Sequence, residues 1–258
     1  MNISYFTAVS AMNAFQKDLD VTANNMANVS TNGYKSMRSS FDDLLYTQMD
    51  MRPQAQVGHG VKNDGPGTVF QQGIFRKSER KLDFAISGNA FFAIQTSEDE
   101  EEPAYTRDGA FQISSTEDGN YLTTSDGSYV LDQDGEPIEL EYKQSEDGTK
   151  SSGKDGGELD LDHLAERIGL FVCENPEGLM HAGVNLFRTG ETSGEWVSVE
   201  DLDDEEEKSK ILTMTLELSN SNMSTEMVNL MQTQRAFQLN SRIVSTADQM
   251  EEMINNLR

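Results

Sequence analysis

The sequence predicts an α+β protein in which N- and C-terminal helices with coiled-coil-like seams enclose a central antiparallel β-rich domain. Three observations predict it. Apolar residues recur at helical steps near each terminus, short apolar strand patterns fill the middle, and Asp-Gly pairs punctuate those patterns.

Residues 1 to 34 read as an N-terminal amphipathic helix with its terminating turn. Tyr5, Val9, Met12, Leu19, Ala23 and Met26 recur at spacings of three, four and seven. The pattern stops near residue 29, where Ser30-Thr31-Asn32-Gly33 joins helix-poor polar residues to an Asn-Gly pair. Residues 35 to 80 have no sustained period and carry Pro53, Pro66, Gly58, Gly60, Gly65 and Gly67. They read as an extended connector with short strands at most.

Residues 81 to 210 change character. Leu82-Asp83-Phe84-Ala85-Ile86 alternates, Phe91-Phe92-Ala93-Ile94 is a compact apolar strand, and Asp-Gly pairs begin at 108, 118, 126 and 134. Asp-Gly tolerates the positive φ angles of tight hairpin turns, so this spacing describes a β-meander. Solvated loops are expected at 97 to 102, 144 to 157 and 200 to 207, where acids and small polar residues dominate.

Residues 211 to 258 read as a strand followed by a helix. Leu212, Met214, Leu216 and Leu218 alternate; then Met223, Met227, Leu230, Phe237 and Val244 take helical steps, with Gln234 and Ser241 between. A second register runs through Ile243, Ala247, Met250, Ile254 and Leu257. Asn222 and Ser224 are N-cap candidates, and Glu226 suits the positive end of the helix dipole. Gln16, Gln234 and Asn240 interrupt the seams with amides. That leaves two readings open: a two-helix satellite of one domain, or helices that complete their burial against other copies.

Composition narrows the function. A net charge of -25 from 45 acids and 20 bases repels nucleic acid and anionic lipid. A mean hydropathy of -0.60 is lean for one compact globule. Cys173 stands alone within an apolar run, which excludes an internal disulfide and fits a buried strand thiol. No apolar run approaches the roughly 18 to 20 residues of a membrane span. No cleavable signal is visible at the N-terminus, so the expectation is a chain that stays in the cytoplasm or leaves by a route that removes nothing.

Chemistry-bearing patterns are absent from the sequence. His59, His163 and His181 have no zinc spacing, and Asp132-x-Asp134-Gly135 lacks the remaining ligands of a calcium loop and reads as a hairpin turn. Ser193-Gly194 lies in no nucleophile elbow. The acids fall in hydrophilic runs where desolvation cannot raise a carboxyl pKa, and Trp196 is the only indole. No enzyme activity, cofactor or metal is expected. A calcium-stabilised acidic adhesin is the reading from a different class.

Specific motifs carry a resemblance. The stretch Ala23-Asn24-Asn25-Met26-Ala27-Asn28-Val29-Ser30-Thr31-Asn32-Gly33-Tyr34-Lys35 resembles the hallmark of flagellar rod and hook proteins. Glu226-Met227-Val228-Asn229-Leu230-Met231-Gln232-Thr233-Gln234-Arg235-Ala236-Phe237 is similar to the closing helix of that family. Between them, Leu82 to Gly88, Phe91-Phe92, Tyr105-Thr106-Arg107-Asp108-Gly109-Ala110-Phe111, Asn185-Leu186-Phe187 and Ser193-Gly194 agree in order. Ala90 departs from the Gly usual before the double Phe, and Ser221 from the Val usual after Ser-Asn.

The resemblance implies a rod subunit exported unfolded by the flagellar type III apparatus, whose terminal helices pair as a coiled coil in an inner tube and whose β-domain lies outside. The length favours rod over hook, and Val57-Gly58-His59-Gly60-Val61 resembles the distal-rod type more than the proximal. Implied partners are further copies in a helical homo-polymer, other rod proteins, the hook protein, the export apparatus and the bushing rings, with no nucleic acid and no membrane insertion. The candidate assembly residues are Tyr5, Val9, Met12 and Leu19; Asn24, Asn25, Met26, Asn28, Thr31, Gly33, Tyr34 and Lys35 in the motif; and Met227, Leu230, Met231, Gln234, Arg235, Phe237, Asn240 and Val244 in the last helix.

Overall fold

A computed structural model describes residues 3–44, 46–49, 52–96, 103–116, 119–140, 161, 163–183, 185–199 and 209–257. The acidic run 97–102, Asp118, the loop 144–157 and the acidic run 200–207 lie outside the described residues. The helices are α1 (Ile3–Ala27), the single-turn α2 (Leu164–Arg167) and α3 (Met223–Asn256). Helices at both ends and antiparallel strands between them make the chain an α+β protein.

Two compact units share the chain, which passes from one to the other after Val29, Lys35, Val69 and Asn220. The helix unit gathers Met1–Val29, Ser36–Val69 and Ser221–Arg258, and the sheet unit gathers Ser30–Lys35 and Phe70–Asn220.

In the helix unit α1 and α3 pack side by side. The C-terminal end of α1 is closed by its own amides: Asn28 Nδ2 donates to Asn24 O at 3.0 Å and to Asn24 Oδ1 at 2.9 Å. Asn24 O also accepts from Asn28 N at 3.1 Å, so Asn28 closes the helix with both its backbone and its side chain. At the start of α3, Asn222 Oδ1 accepts from Ser224 N at 2.9 Å and Thr225 N at 3.4 Å, so Asn222 is the N-cap.

The segment without sequence period holds β1 (Met37–Asp43), β2 (Tyr46–Met49), β3 (Arg52–Gly58) and β4 (Val61–Thr68). β1 pairs antiparallel with β4, from Met37 opposite Thr68 to Asp43 opposite Val61, with an irregularity between Ser39 and Phe41; β2 pairs with β3. The side chains of β1 are mostly exposed on both faces, so no apolar alternation marks the strand.

The sheet unit contains β5 (Phe75–Lys77), β6 (Phe84–Ser87), β7 (Phe91–Gln95), β8 (Ala104–Thr106), β9 (Gln112–Ser115), β10 (Asn120–Thr123), β11 (Tyr129–Val130), β12 (Leu170–Cys173), β13 (Met180–Gly183), β14 (Leu186–Arg188), β15 (Trp196–Ser198), β16 (Lys210–Thr213) and β17 (Thr215–Glu217). Among the described residues nine of these form one antiparallel sheet in the order β13-β14-β8-β7-β11-β10-β9, with β12 joined to β7 and β15 to β12. Two ribbons, β16 with β6 and β17 with β5, complete the unit.

Central position explains the run Phe91-Phe92-Ala93-Ile94. β7 has β8, β11 and β12 as neighbours, and both its faces are buried. Phe92 and Ile94 enter the larger core with Phe84, Phe111 and Leu122, while Phe91 and Ala93 enter a second cluster with Tyr105 and Phe187. A strand covered on both faces needs a continuous apolar run.

Two of the Asp-Gly pairs, and the glycine of a third, belong to hairpins. Gly127 has φ 86 beneath the bond from Thr124 N to Ser128 O, and Gly135 has φ 82 beneath the bond from Asp132 N to Glu136 O. Gly119 O accepts from Thr116 N between β9 and β10. Asp108-Gly109 differs, because the strands on either side of it do not pair with each other; Phe84 N donates to Gly109 O at 3.0 Å, and Asp108 Oδ1 accepts from Ala110 N. The alternation from Leu212 to Leu218 is also broken, since Met214 has φ 53 and separates β16 from β17. Cys173 is a buried strand thiol whose Sγ donates to Ser193 O at 3.0 Å, and burial raises its pKa.

Candidate assembly site

The buried residues of α1 are Ala8, Ala14, Thr22 and Asn25. The inward seam of α3 runs through Glu226, Leu230, Thr233, Phe237, Asn240, Val244 and Ala247 at alternating steps of four and three. Thr233 Oγ1 donates to Asp18 Oδ2 at 2.7 Å, and Asn25 Nδ2 lies 3.4 Å from Glu226 Oε1. Rising along α3 corresponds to descending along α1, so the helices are antiparallel.

Asn25 is buried at this seam. Its Nδ2 donates to Met37 O at 2.8 Å while its Oδ1 accepts from Met37 N at 2.9 Å, as a neighbouring strand would. Neither Asp nor Leu supplies both a donor and an acceptor at this length. Ser221 Oγ donates to Asn25 O at 3.3 Å, giving the family-atypical serine a partner on α1.

The expected apolar stripe lies beside this seam. Val9 and Met26 follow the buried Ala8 and Asn25, and Leu19 follows Asp18, each a step of about 100° around the helix; Met12 lies on the same side. They and Tyr5 are half-buried, and Asn24 is exposed. On α3, Leu230, Phe237, Asn240 and Val244 face inward and are half-buried, whereas Met227, Met231, Gln234 and Arg235 are exposed. Exposure of apolar side chains continues to the end of α3, reaching 65% at Ile254 and 88% at Leu257.

The second half of the N-terminal motif belongs to the sheet unit. Asn28 and Thr31 are half-buried on either side of the crossing, and Gly33, Tyr34 and Lys35 are buried. Gly33 has φ 65, and its N donates to Glu217 O at 2.7 Å. Tyr34 O accepts from Asn220 N at 3.3 Å, and Asn32 O accepts from Asn185 Nδ2 at 2.9 Å.

Lys35 Nζ donates to Glu217 Oε1 at 2.6 Å and to Gln71 O at 3.0 Å. Arg107 Nη1 lies 3.4 Å from Glu217 Oε2, and its guanidinium stands 4.8 Å from the centre of the Phe91 ring. Glu217 Oε1 also accepts from Gly73 N at 2.7 Å. Two cations thus share one carboxylate in a buried site. Burial lowers the pKa of Lys35, with the charge of Arg107 acting in the same direction and Glu217 opposing it. Burial likewise lowers that of Arg107 against the pull of Glu217. With Lys35 enclosed and both its partners internal, the arrangement holds backbone segments together and presents no reactive amine.

Hydrophobic periodicity does not reveal Asp18, Thr22, Thr233, Arg107 or Glu217 as members of these networks. A polar residue inside a seam is visible only as an interruption, and Glu217 carries the weak signal of an acid that follows the apolar residue Leu216. Among the described residues no group of three or more His, Cys, Asp and Glu side chains is placed to hold a metal ion, and no helix is long and apolar enough to cross a membrane.

Three family models match the chain: flagella basal body rod protein over residues 7–35, the flagellar hook protein FlgE/F/G D1 domain over 85–154, and the flagellar basal body rod FlgEFG protein C-terminal region over 214–257. The chain is 34% identical to the flagellar basal-body rod protein FlgG of Borreliella burgdorferi, covering 98% of this chain and 97% of the relative. It is 30% identical to FlgG of Bacillus subtilis, covering 99% and 98%, and 28% identical to the flagellar hook-basal body complex protein FlhP of the same organism, covering 99% of each. By full-length likeness and by all three domain matches, the chain belongs to the flagellar basal-body rod protein family and is a structural rod subunit of the flagellar basal body.

Proposed function

We propose that this rod subunit is of the distal type and polymerises through α1 and α3 into a hollow helical tube that transmits torque and conducts exported subunits. The observation that carries the reading is the apolar surface left uncovered on α3. Met227, Met231, Leu239, Ile243, Met250, Met253, Ile254 and Leu257 are all exposed on a 34-residue helix. A helix of that length spans about 50 Å. The stripe of Tyr5, Val9, Met12, Leu19 and Met26 supplies a second incompletely covered face on α1.

In this reading the antiparallel helices form a coiled-coil pair whose polar seam sets the register, and neighbouring copies cover the outer apolar residues. A contact repeated around a screw axis generates an open filament without a closed ring. Asn24, Met227, Met231, Gln234 and Arg235 contribute directly to contacts between copies. Gly33, Tyr34 and Lys35 act from within the sheet unit by holding the turn that follows α1. The sheet unit forms the outer layer of the tube. Other rod proteins, the hook protein and the bushing rings are the expected neighbours, and the type III apparatus delivers the chain.

The test is circular dichroism and sedimentation velocity on the full chain across a wide range of protein concentration, for the native sequence and for Met231→Glu with Ile254→Glu. The expected result is helix content that rises as large species form, with both suppressed by the two substitutions. A native chain that is fully helical and monomeric at every concentration overturns the polymer reading.

A further inference from the structure

We infer that β5 is a docking strand for an acidic segment of a neighbouring copy, Glu200–Glu207. The inference rests on the polymer reading, since it supplies a contact between copies. Arg76, Lys77, Arg80 and Lys81 fall within six residues, although the whole chain has only 20 bases against 45 acids. Subunits this acidic repel one another when packed, so a local concentration of cations has a large effect on which surfaces meet.

The placement of that concentration is unusual for a strand. Phe75, Arg76 and Lys77 are all exposed, and Ile74 just before them is 75% exposed. Alternation puts Ile74 and Arg76 on one face and Phe75 and Lys77 on the other, so each face presents one apolar and one cationic side chain. Among the described residues β5 pairs with β17 alone, through Lys77 opposite Thr215 and Phe75 opposite Glu217. Its other edge therefore offers backbone donors and acceptors beside two cations. Arg80 is engaged nearby, with Nη1 3.3 Å from Asp83 Oδ1 and Nη2 donating to Phe111 O at 2.9 Å.

An extended acidic segment fits this strand by edge pairing, with carboxylates on Arg76 and Lys77 and an apolar residue against Ile74 or Phe75. Glu200-Asp201-Leu202-Asp203-Asp204-Glu205-Glu206-Glu207 has that composition, including Leu202; the run Glu98 to Glu102 has no apolar residue.

Two measurements on the full chain test this. In the first, a fluorescent peptide of sequence 199–209 is titrated onto the protein and followed by anisotropy at about 0.05 M and about 0.5 M salt. Binding is expected at low salt, weakened at least about fivefold by Arg76→Glu with Lys77→Glu and by high salt. In the second, the concentration at which the full chain polymerises is measured for that charge-reversed variant and for the same variant with Asp203→Lys and Asp204→Lys. The first variant should need about three- to tenfold more protein, and the second should recover most of the loss.

Polymerisation of the native chain with no peptide binding, or with no effect of the Arg76 and Lys77 changes, overturns the docking strand and leaves the rod reading standing. Loss without recovery in the charge-swapped variant overturns the acidic run as the occupant and points to another anionic partner. Peptide binding that depends on Arg76 and Lys77 in a chain that never polymerises supports the strand and counts against the polymer.

Discussion

Lys35 Nζ lies 2.6 Å from Glu217 Oε1, with both side chains almost wholly removed from water although they stand 182 positions apart in the chain. Arg107 approaches the same carboxylate, so one acid balances two bases. The members of this cluster are therefore unequal. Glu217→Gln leaves two buried cations without a counterion and should cost about 3–5 kcal/mol. Lys35→Met leaves Arg107 and Glu217 paired and should cost about 1–2 kcal/mol. Urea unfolding followed by the fluorescence of Trp196, the single tryptophan, reports this directly from the sheet unit; equal losses would contradict the unequal sharing.

Tyr105 stacks on Trp196 with ring centres 3.5 Å apart, and burial pushes its phenol up to about 12 from 10.0. Above pH 10 the unfolded chain gives up this proton while the folded chain keeps it. Stability is thus complete below pH 10 and is lost as pH rises through the interval to about 12. The loss approaches about 2.5 kcal/mol for a shift of two units. Tyr105→Phe keeps the ring and should remove that part of the alkaline slope, read as the difference between variant and native curves.

Asn25→Asp tests the amide that joins α1 to β1. The new carboxylate would face Met37 O and Glu226 Oε1, which now lie 2.8 and 3.4 Å from the amide nitrogen. A loss of about 2–3 kcal/mol is expected at neutral pH. Partial recovery near about pH 4 should follow as a carboxyl takes up a proton. Thermal melting monitored by far-UV circular dichroism measures both; a variant as stable as the native protein at neutral pH would rule out the paired role of the amide.

Gly33→Ala tests a close approach. A Cβ there would stand 2.5 Å from Arg107 C, 2.6 Å from Arg107 O and 2.7 Å from Asp108 N, at φ 65. All three are backbone atoms, which cannot swing aside like a long side chain. A loss above about 2 kcal/mol is expected in the same urea experiment. Because Arg107 is common to both sites, combining Gly33→Ala with Lys35→Met should give less than the sum of the separate losses.

Periodicity made the helices legible, but on α1 it did not mark the most buried positions. The buried positions there are Ala8, Ala14, Thr22 and Asn25, small or polar residues that register weakly as apolar. The more hydrophobic neighbours Val9, Met12, Leu19 and Met26 carried the signal while standing to one side. On α3 the apolar spacing marked the half-buried residues Leu230, Phe237 and Val244 together with the exposed Met223 and Met227. β7 was legible because burial on both faces demands a continuous apolar run. β1 and β4 were not, because a mostly exposed ribbon imposes no alternation. The ion cluster was illegible for a different reason: Lys35, Arg107 and Glu217 meet only through tertiary folding, and no spacing along the chain encodes their meeting.

The four crossings between units have a consequence for the order in which the chain can mature. Neither unit is a continuous stretch of sequence, and the helix unit draws its last third from Ser221–Arg258. Any process that hands over the polypeptide from its N-terminus, a ribosome included, delivers α1 and Lys35 long before α3 and Glu217. Until those last elements emerge, Asn25 has no Glu226 beside it and Lys35 has no acid to meet. Completion is therefore a single late event at the C-terminus, and loss of even the final quarter of the chain removes closing pieces from both units at once.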